Sequence, residues 1–397
     1  MNLFKKIYCR IFQGCFHIAI PILPYRDPKI LNFIEELPPE FANRGISKVL
    51  LVTDPVIRNL TGKLETLLPE NGIECVVYDK TNANPTVSNV DEALKLYNDE
   101  NCQALIGFGG GSSIDCAKAV GARVACPRKS LEKMKGILKI HRRIPLLAAI
   151  PTTAGTGSET TVTTVITDDK THYKYPISDF PLIPRIAVLD PTVTFTLPAS
   201  LTATTGMDAM THAVEAFIGG STTKKTRDYS IRAVKLIIAN IEKAYKNGQD
   251  ENARRNMLLA SNLAGGAFSR SYVGYVHAVA HSLGGAYNIP HGLANSVLLP
   301  ILLRAYGSKS WKKLKKLAVA GGVAFPTDSE QAAAEKFIAE IERLNAAMGI
   351  PTKLKGIKEE DIAELARRAD KEANPLYPVP ILWNAKELER FYLEVKE

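Results

Sequence analysis

Residues 104–108, Ala-Leu-Ile-Gly-Phe, form a short apolar run that passes directly into Gly109-Gly110-Gly111-Ser112-Ser113 and then into a helical pattern carrying Asp115 and Lys118. A strand that hands its chain straight to a helix needs a crossover before the next strand can pair, so a parallel sheet is the fold this stretch demands. The same alternation surrounds it. Strand-like runs at 48–53, 74–78 and 146–150 are separated by helical patterns at 56–68, 90–98 and 113–122, with further strand-like runs at 161–167 and 187–189. Past Pro198 the strand signal stops, and residues 227–246, 251–268, 293–306 and 329–348 all show helical spacing. We expect an α/β domain with a mainly parallel sheet over residues 1–197, followed by an all-α domain over 198–397.

The three glycines lie where a parallel sheet binds ligands, at the carboxyl end of a strand and the start of a helix. Glycine lets backbone N–H groups approach a phosphate closely, and the helix N-terminus favours its charge. A second polar loop, Pro151-Thr152-Thr153-Ala154-Gly155-Thr156-Gly157-Ser158-Glu159, leaves the 146–150 strand at the same edge. Together the two loops predict a dinucleotide-binding domain, although the run is not a G-x-G-x-x-G fingerprint. Asp54 ends the 48–53 strand, where a carboxylate can accept from a ribose diol and would repel a 2′-phosphate, favouring NAD over NADP. An ordinary turn ahead of Pro55 would use the same aspartate.

In the all-α half, His277 and His281 are four apart and project from one helix face. Gly284 and Gly285 are expected to end that helix, and the Asn288-Ile289-Pro290 turn brings His291 back toward the pair. Asp208 and His212 repeat the spacing inside a helical segment, 203–217, that Gly219 and Gly220 close. Imidazole and carboxylate without thiolate suit iron, zinc or manganese, and spacing alone leaves all five side chains as candidates.

The six cysteines, at 9, 15, 75, 102, 116 and 126, show no C-x-x-C pair and no paired framework, which points to a reducing, cytoplasmic setting. The net charge is +9, and residues 123–143 hold eight Lys or Arg against Glu132. With no interleaved aromatics in that cluster, a solvated surface is the reading, and no nucleic-acid partner is expected. Residues 1–24 combine Lys5, Lys6 and Arg10 with an apolar run that Gln13, His17, Pro21 and Pro24 interrupt. It is too short to span a bilayer and lacks a cleavage site. Phe4, Ile7, Ile11, Cys15 and Ile18 recur at helical spacing, so an amphipathic helix packed on the body or on a partner subunit is expected, with attachment to a membrane surface as the alternative.

From about residue 46 onward the chain resembles the iron-containing (group III) alcohol dehydrogenase family. The likeness rests on the triple-glycine turn with Asp115 and Lys118, the 151–159 loop, Gly206-Met-Asp-Ala-Met-Thr-His-Ala-Val-Glu-Ala216, and residues 277–292. It implies Asp208, His212, His277 and His291 as ligands of Fe2+, with zinc a competitor, and places His281 beside the substrate and nicotinamide as the catalytic proton carrier. It implies nucleotide contacts from Asp54, Asn84, Gly109, Gly110, Gly111, Ser112, Asp115, Thr152, Thr153 and Lys174, and a substrate pocket lined by Thr163 and Phe268. The activity implied is a metal-dependent, NAD-linked alcohol dehydrogenase or aldehyde reductase acting on small primary alcohols or aldehydes, in a cytoplasmic homodimer. Glycerol dehydrogenase and dehydroquinate synthase types share the superfamily and are the rival enzymes; a non-enzymatic nucleotide-binding protein is the rival outside it.

Overall fold

A computed structural model describes residues 1–171 and 173–397. Packing divides the chain into two compact units: Pro24–Leu197, and Pro198–Glu397 together with Met1–Leu23. Residues 1–23, including helix α1 (Leu3–Ala19), therefore pack with the helices and not with the α/β domain to which the sequence reading assigned them.

The α/β unit is built on a six-stranded sheet in the order β1 (Lys29–Leu31), β9 (Ile186–Val188), β6 (Leu146–Pro151), β4 (Ala104–Gly109), β2 (Lys48–Val52), β3 (Glu74–Tyr78), parallel throughout. Helices α2 (Leu37–Ala42), α3 (Gly62–Glu70), α4 (Val87–Asp99), α5 (Gly111–Ala125) and the short α6 (Leu131–Met134) connect the strands. Alternation along β2 shows why both faces are covered. Val49 and Leu51 join Phe41, Leu64 and Leu68 in one core, while Leu50 and Val52 join Val90, Ala117 and Val120 in the other.

A smaller sheet adds β7 (Thr163–Thr167), antiparallel to β8 (Lys174–Ser178), with β5 (Gly136–Ile137) alongside. β8 is not among the strand-like runs of the sequence; its Pro176, which donates no ladder hydrogen bond, sits opposite Val165 in a pair whose far neighbour is only two residues long. After β2 the chain steps outward to β3 and then returns to place β4 on the other side of β2. The strand order thus reverses between β2 and β4, and their carboxyl ends flank the crevice where such sheets bind ligands.

The helical unit comprises α7 (Ala199–Ile218), α8 (Lys224–Lys246), α9 (Glu251–Ser271), α10 (Tyr275–Tyr287), α11 (His291–Tyr306), α12 (Ser308–Ala320), α13 (Glu330–Ala347), α14 (Ile362–Ala373) and α15 (Ala385–Val395), with α1 laid on it. Gly284 and Gly285 do not end α10. The helix runs on to Tyr287 and stops at Asn288, which takes the left-handed conformation and returns its N–H to Gly284.

The face that α1 turns inward is the reverse of the one expected for packing on the body. Cys9 and Gln13 are buried, while Phe4, Ile7, Ile11, Cys15 and Ile18 are exposed. The non-helical segment beneath presents carbonyls that need donors. Gln13 Nε2 donates to Pro375 O (3.1 Å) and Tyr377 O (2.7 Å), and Arg10 donates to Val379 O (2.8 Å) and Pro380 O (3.0 Å).

Candidate active site

Helix α7 is almost wholly buried and carries Asp208, His212 and Glu215 on one face, at i, i+4 and i+7. Helix α10 supplies His277 two residues past its first, and His291 opens α11. α11 can approach because Gly292 lies against α7: a Cβ there would stand 2.4 Å from Thr204 O. The donor atoms of Asp208, His212, His277 and His291 all lie within 4.8 Å of one another.

Three features of this group suit a divalent cation. Asp208 is buried, and three imidazoles surround it: His291 Nε2 at 3.4 Å, His277 Nε2 at 3.9 Å and His212 Nδ1 at 4.0 Å. Burial pulls His291 down to about 4 and, with the neighbouring histidines, holds His277 well below its ordinary value, so both rings keep a lone pair at neutral pH. The His277 ring is also fixed. Its Nδ1 lies 2.6 Å from Glu215 Oε2, and because that carboxylate already accepts the Gly274 and Val276 N–H groups (2.8 Å each), Nδ1 carries the proton and Nε2 faces Asp208.

Glu215 is absent from the candidates read off the sequence. Burial pushes its carboxyl up to about 7 against those backbone donors. It caps α10 from a different helix, and Gly274 makes room for it, since a Cβ at that position would stand 2.5 Å from Oε1. Fully buried Asn295 is also new. Its Nδ2 donates to Asp208 Oδ1 at 2.7 Å and lies 3.0 Å and 3.3 Å from Nε2 of His291 and His277.

His281 stands apart from the four. It stacks on His291 (5.0 Å between centroids, 20° between planes) and keeps its side chain 44% exposed. Its Nδ1 lies 2.6 Å from Glu372 Oε1, which also accepts the Tyr377 hydroxyl at 2.8 Å. Desolvation opposes its charge, and the Glu372 carboxylate outweighs that, so its pKa is raised. Phe268 lies face to face with His212 at 4.1 Å and remains half-buried, giving the group an apolar border.

In the α/β unit, the glycine turn and Asp54 meet at the point where the strand order reverses. Asp54 Oδ1 accepts from Val56 N (3.0 Å) and Ile57 N (3.3 Å), and Oδ2 accepts from Ser113 Oγ at 3.2 Å. Gly109 adopts φ 147°, and a Cβ there would lie 2.5 Å from Ser113 Oγ; Gly111 is crowded by Thr156 in the same way. Ser112 Oγ donates to Ala83 O, which brings the exposed Asn84 loop beside the turn. Thr152 N donates to Gly109 O at 2.9 Å, and Thr153 borders Gly110. Lys174 opens β8 and is exposed, and the Thr163 hydroxyl pairs with Ser178 Oγ at 2.9 Å.

Asp115 differs from these. Its carboxylate accepts from Ser158 Oγ and Val165 N, a tie between α5, the 151–159 loop and β7 that a structural brace accounts for. Buried Lys118, which burial lowers to about 8, completes the tie by donating to Thr161 O, Thr161 Oγ1 and Thr163 O.

Comparison with known proteins accords with this architecture. The model of the iron-containing alcohol dehydrogenase family matches residues 31–191, and the C-terminal model of the Fe-containing alcohol dehydrogenase family matches residues 202–394. The 1,3-propanediol dehydrogenase of Citrobacter freundii is 40% identical over 383 residues, covering 95% of this chain and 98% of its own. Alcohol dehydrogenase 4 of Saccharomyces cerevisiae is 38% identical over 340 residues, 85% and 88% of the two chains. A crystal structure of 1,3-propanediol oxidoreductase superposes with a TM-score of 0.89 at 36% identity, covering 94% of this chain and 99% of that one. The chain belongs to the iron-containing alcohol dehydrogenase family.

Proposed function

We propose that this protein is a metal-dependent alcohol dehydrogenase that moves hydride between a nicotinamide dinucleotide and a small primary alcohol or aldehyde, using Asp208, His212, His277 and His291 to hold the ion. The observation that carries this reading is the convergence of one buried carboxylate and three imidazoles within 4.8 Å in a chain of this family. When bound, the ion supplies Lewis acidity toward the substrate oxygen. Fe2+ is the ion we assign, and zinc would compete for such nitrogen-rich donors.

The rest of the chemistry falls to the chain's own groups. Glu215 holds the proton on His277 Nδ1, leaving Nε2 as donor. Phe268 offers an apolar surface that suits a short aliphatic chain and excludes water. His281, exposed and hydrogen-bonded to Glu372, is placed to pass a proton from the substrate oxygen to solvent through its Nε2. Gly109, Gly110, Gly111 and Ser112 at the start of α5 would cradle the diphosphate, with Asn84, Thr152, Thr153 and Lys174 around it. Asp54, two residues past β2, is assigned to the ribose diol, which favours NAD over NADP. Thr163 is assigned to the substrate side.

A cytoplasmic homodimer completes the proposal. The six cysteines, none in a disulfide, suit the reducing setting, and the homodimer is carried over from the family resemblance. The direct test is anaerobic purification, metal analysis, and nicotinamide absorbance against a panel of short alcohols and aldehydes. No absorbance change with any of them would overturn the dehydrogenase reading.

His281→Ala is expected to keep its metal and lose about a hundredfold in kcat, the scale of a lost proton carrier. Loss of metal in that variant would remove the division of labour between His281 and the four ligands. Gly109→Ala places a Cβ 2.5 Å from Ser113 Oγ at φ 147°. The strain is about 1–3 kcal/mol, and we expect a lower Tm and a KM for NAD(H) raised about tenfold or more with metal content unchanged. An unaltered KM would argue against diphosphate binding at this turn.

A further inference from the structure

Helix α1 has two faces, and each is accounted for differently. Toward the body, Cys9 and Gln13 are buried, Phe16 meets Tyr272 edge-on at 4.9 Å, and Lys5 pairs with Asp370 at 3.1 Å. With the Arg10 and Gln13 bonds to the 375–380 backbone, these contacts seat the helix firmly on the helical unit. The opposite face, in contrast, is a continuous apolar stripe at helical spacing: Phe4, Ile7, Tyr8, Ile11 and Ile18, continued by Ile22. Phe4 is 85% exposed, Ile18 76% and Ile22 84%.

Such a stripe marks a surface that meets something apolar. Its charged neighbours indicate what. α1 carries no acidic residue; its charges are Lys5, Lys6 and Arg10. Lys6 and Arg10 line a cavity of about 550 Å³ with Lys309 from α12, and Ile7, Ile11, Pro380, Ile381 and Leu382 form its apolar wall. A cationic rim around an apolar floor fits a phospholipid, phosphate at the rim and acyl chain below. A second copy of this chain meeting the stripe across a two-fold axis would set Lys6 and Arg10 against cations of the same kind. An anionic bilayer, by contrast, satisfies the apolar stripe and the cationic rim together. Neither family model includes α1, whose residues lie before the matched ranges.

We propose that α1 docks the enzyme, lying in the interface plane, on anionic lipid bilayers. The stripe enters the headgroup region and the lysines remain at the phosphate level. No span is involved, as no described helix qualifies for one.

The test is co-sedimentation of the full-length protein with vesicles of phosphatidylcholine plus phosphatidylserine, compared with phosphatidylcholine alone, at low and high salt. We expect binding to the mixed vesicles at least about tenfold tighter than to the neutral ones, weakening as salt rises. The double variant Phe4→Ser/Ile11→Ser and the single variant Lys6→Glu should each lose about tenfold or more in partitioning, through the apolar and the electrostatic contribution respectively. All these positions are exposed, so Tm and dehydrogenase activity should stay at parental values. Failure to sediment with either vesicle overturns the proposal, as does equal, salt-insensitive binding to both. A change of oligomeric state in Phe4→Ser/Ile11→Ser without any vesicle binding would also overturn it and assign the stripe to a second copy.

Discussion

Asp208→Ala is expected to yield a folded protein that has lost its metal and its activity together. Asp208 is the anion among the four donors, so its removal leaves three neutral imidazoles to hold a dication without charge compensation. Groups that merely support a metal ligand already cost 10–100-fold in affinity when removed, so loss of the carboxylate itself should exceed about a hundredfold. The fold should suffer less. The main casualty is Asn295, whose Nδ2 would lose an acceptor now at 2.7 Å but keep His291 Nε2 at 3.0 Å, so the cost should stay near the low end of the about 1–3 kcal/mol of an unsatisfied buried amide. Elemental analysis, a thermal melt and a rate measurement on one preparation separate these effects. His291→Ala should behave in the same way, since His291 Nε2 lies 3.4 Å from the same carboxylate oxygen. Parental metal content with parental rate in either variant would refute the ligand set.

The readable part of this molecule was the part governed by local periodicity. Parallel βα alternation and the i,i+4 spacing of Asp208 with His212 both follow from geometry within a single element, and the structure places them as the spacing implies. Features set by tertiary contact were illegible, each for its own reason. The stripe of α1 was visible, but periodicity cannot say which face turns inward; the carbonyls of residues 375–380 decide that by taking the donors of Arg10 and Gln13. Gly284 and Gly285 carry a stop signal that α10 overrides, because Asn288 supplies the left-handed residue ahead of Pro290. Asp54 and Asp115 both lie near the glycines, and both carboxylates accept hydrogen bonds within the protein, Asp54 from Val56 N, Ile57 N and Ser113 Oγ and Asp115 from Ser158 Oγ and Val165 N, partners that spacing does not reveal. Glu215 was missed although it lies on the same face as Asp208 and His212; its partners, Gly274 and Val276, come from about sixty residues away.

One carboxylate performs two tasks, accepting the first N–H groups of α10 and fixing the proton on His277 Nδ1, and the Glu215→Ala variant removes both. Three buried donors would lose their acceptor, each at about 1–3 kcal/mol, so a loss of about 3 kcal/mol or more in stability is expected, read as a fall in Tm or in denaturant midpoint. Metal affinity should fall 10–100-fold as the His277 ring loses its orientation, measured by competition with a chelator. Glu215→Gln separates the tasks, because its carbonyl oxygen can still accept while its amide nitrogen opposes a donor; it should recover part of the stability and less of the affinity. Gly274→Ala probes the same contact from the other side, placing a Cβ 2.5 Å from Oε1 and displacing the carboxylate without removing it. If both Glu215→Gln and Gly274→Ala bind metal as tightly as the parent while melting at a lower temperature, Glu215 only caps the helix. If affinity falls in both, the carboxylate also sets the donor geometry of His277, and α7 contributes to the metal site through Glu215 as well as through Asp208 and His212.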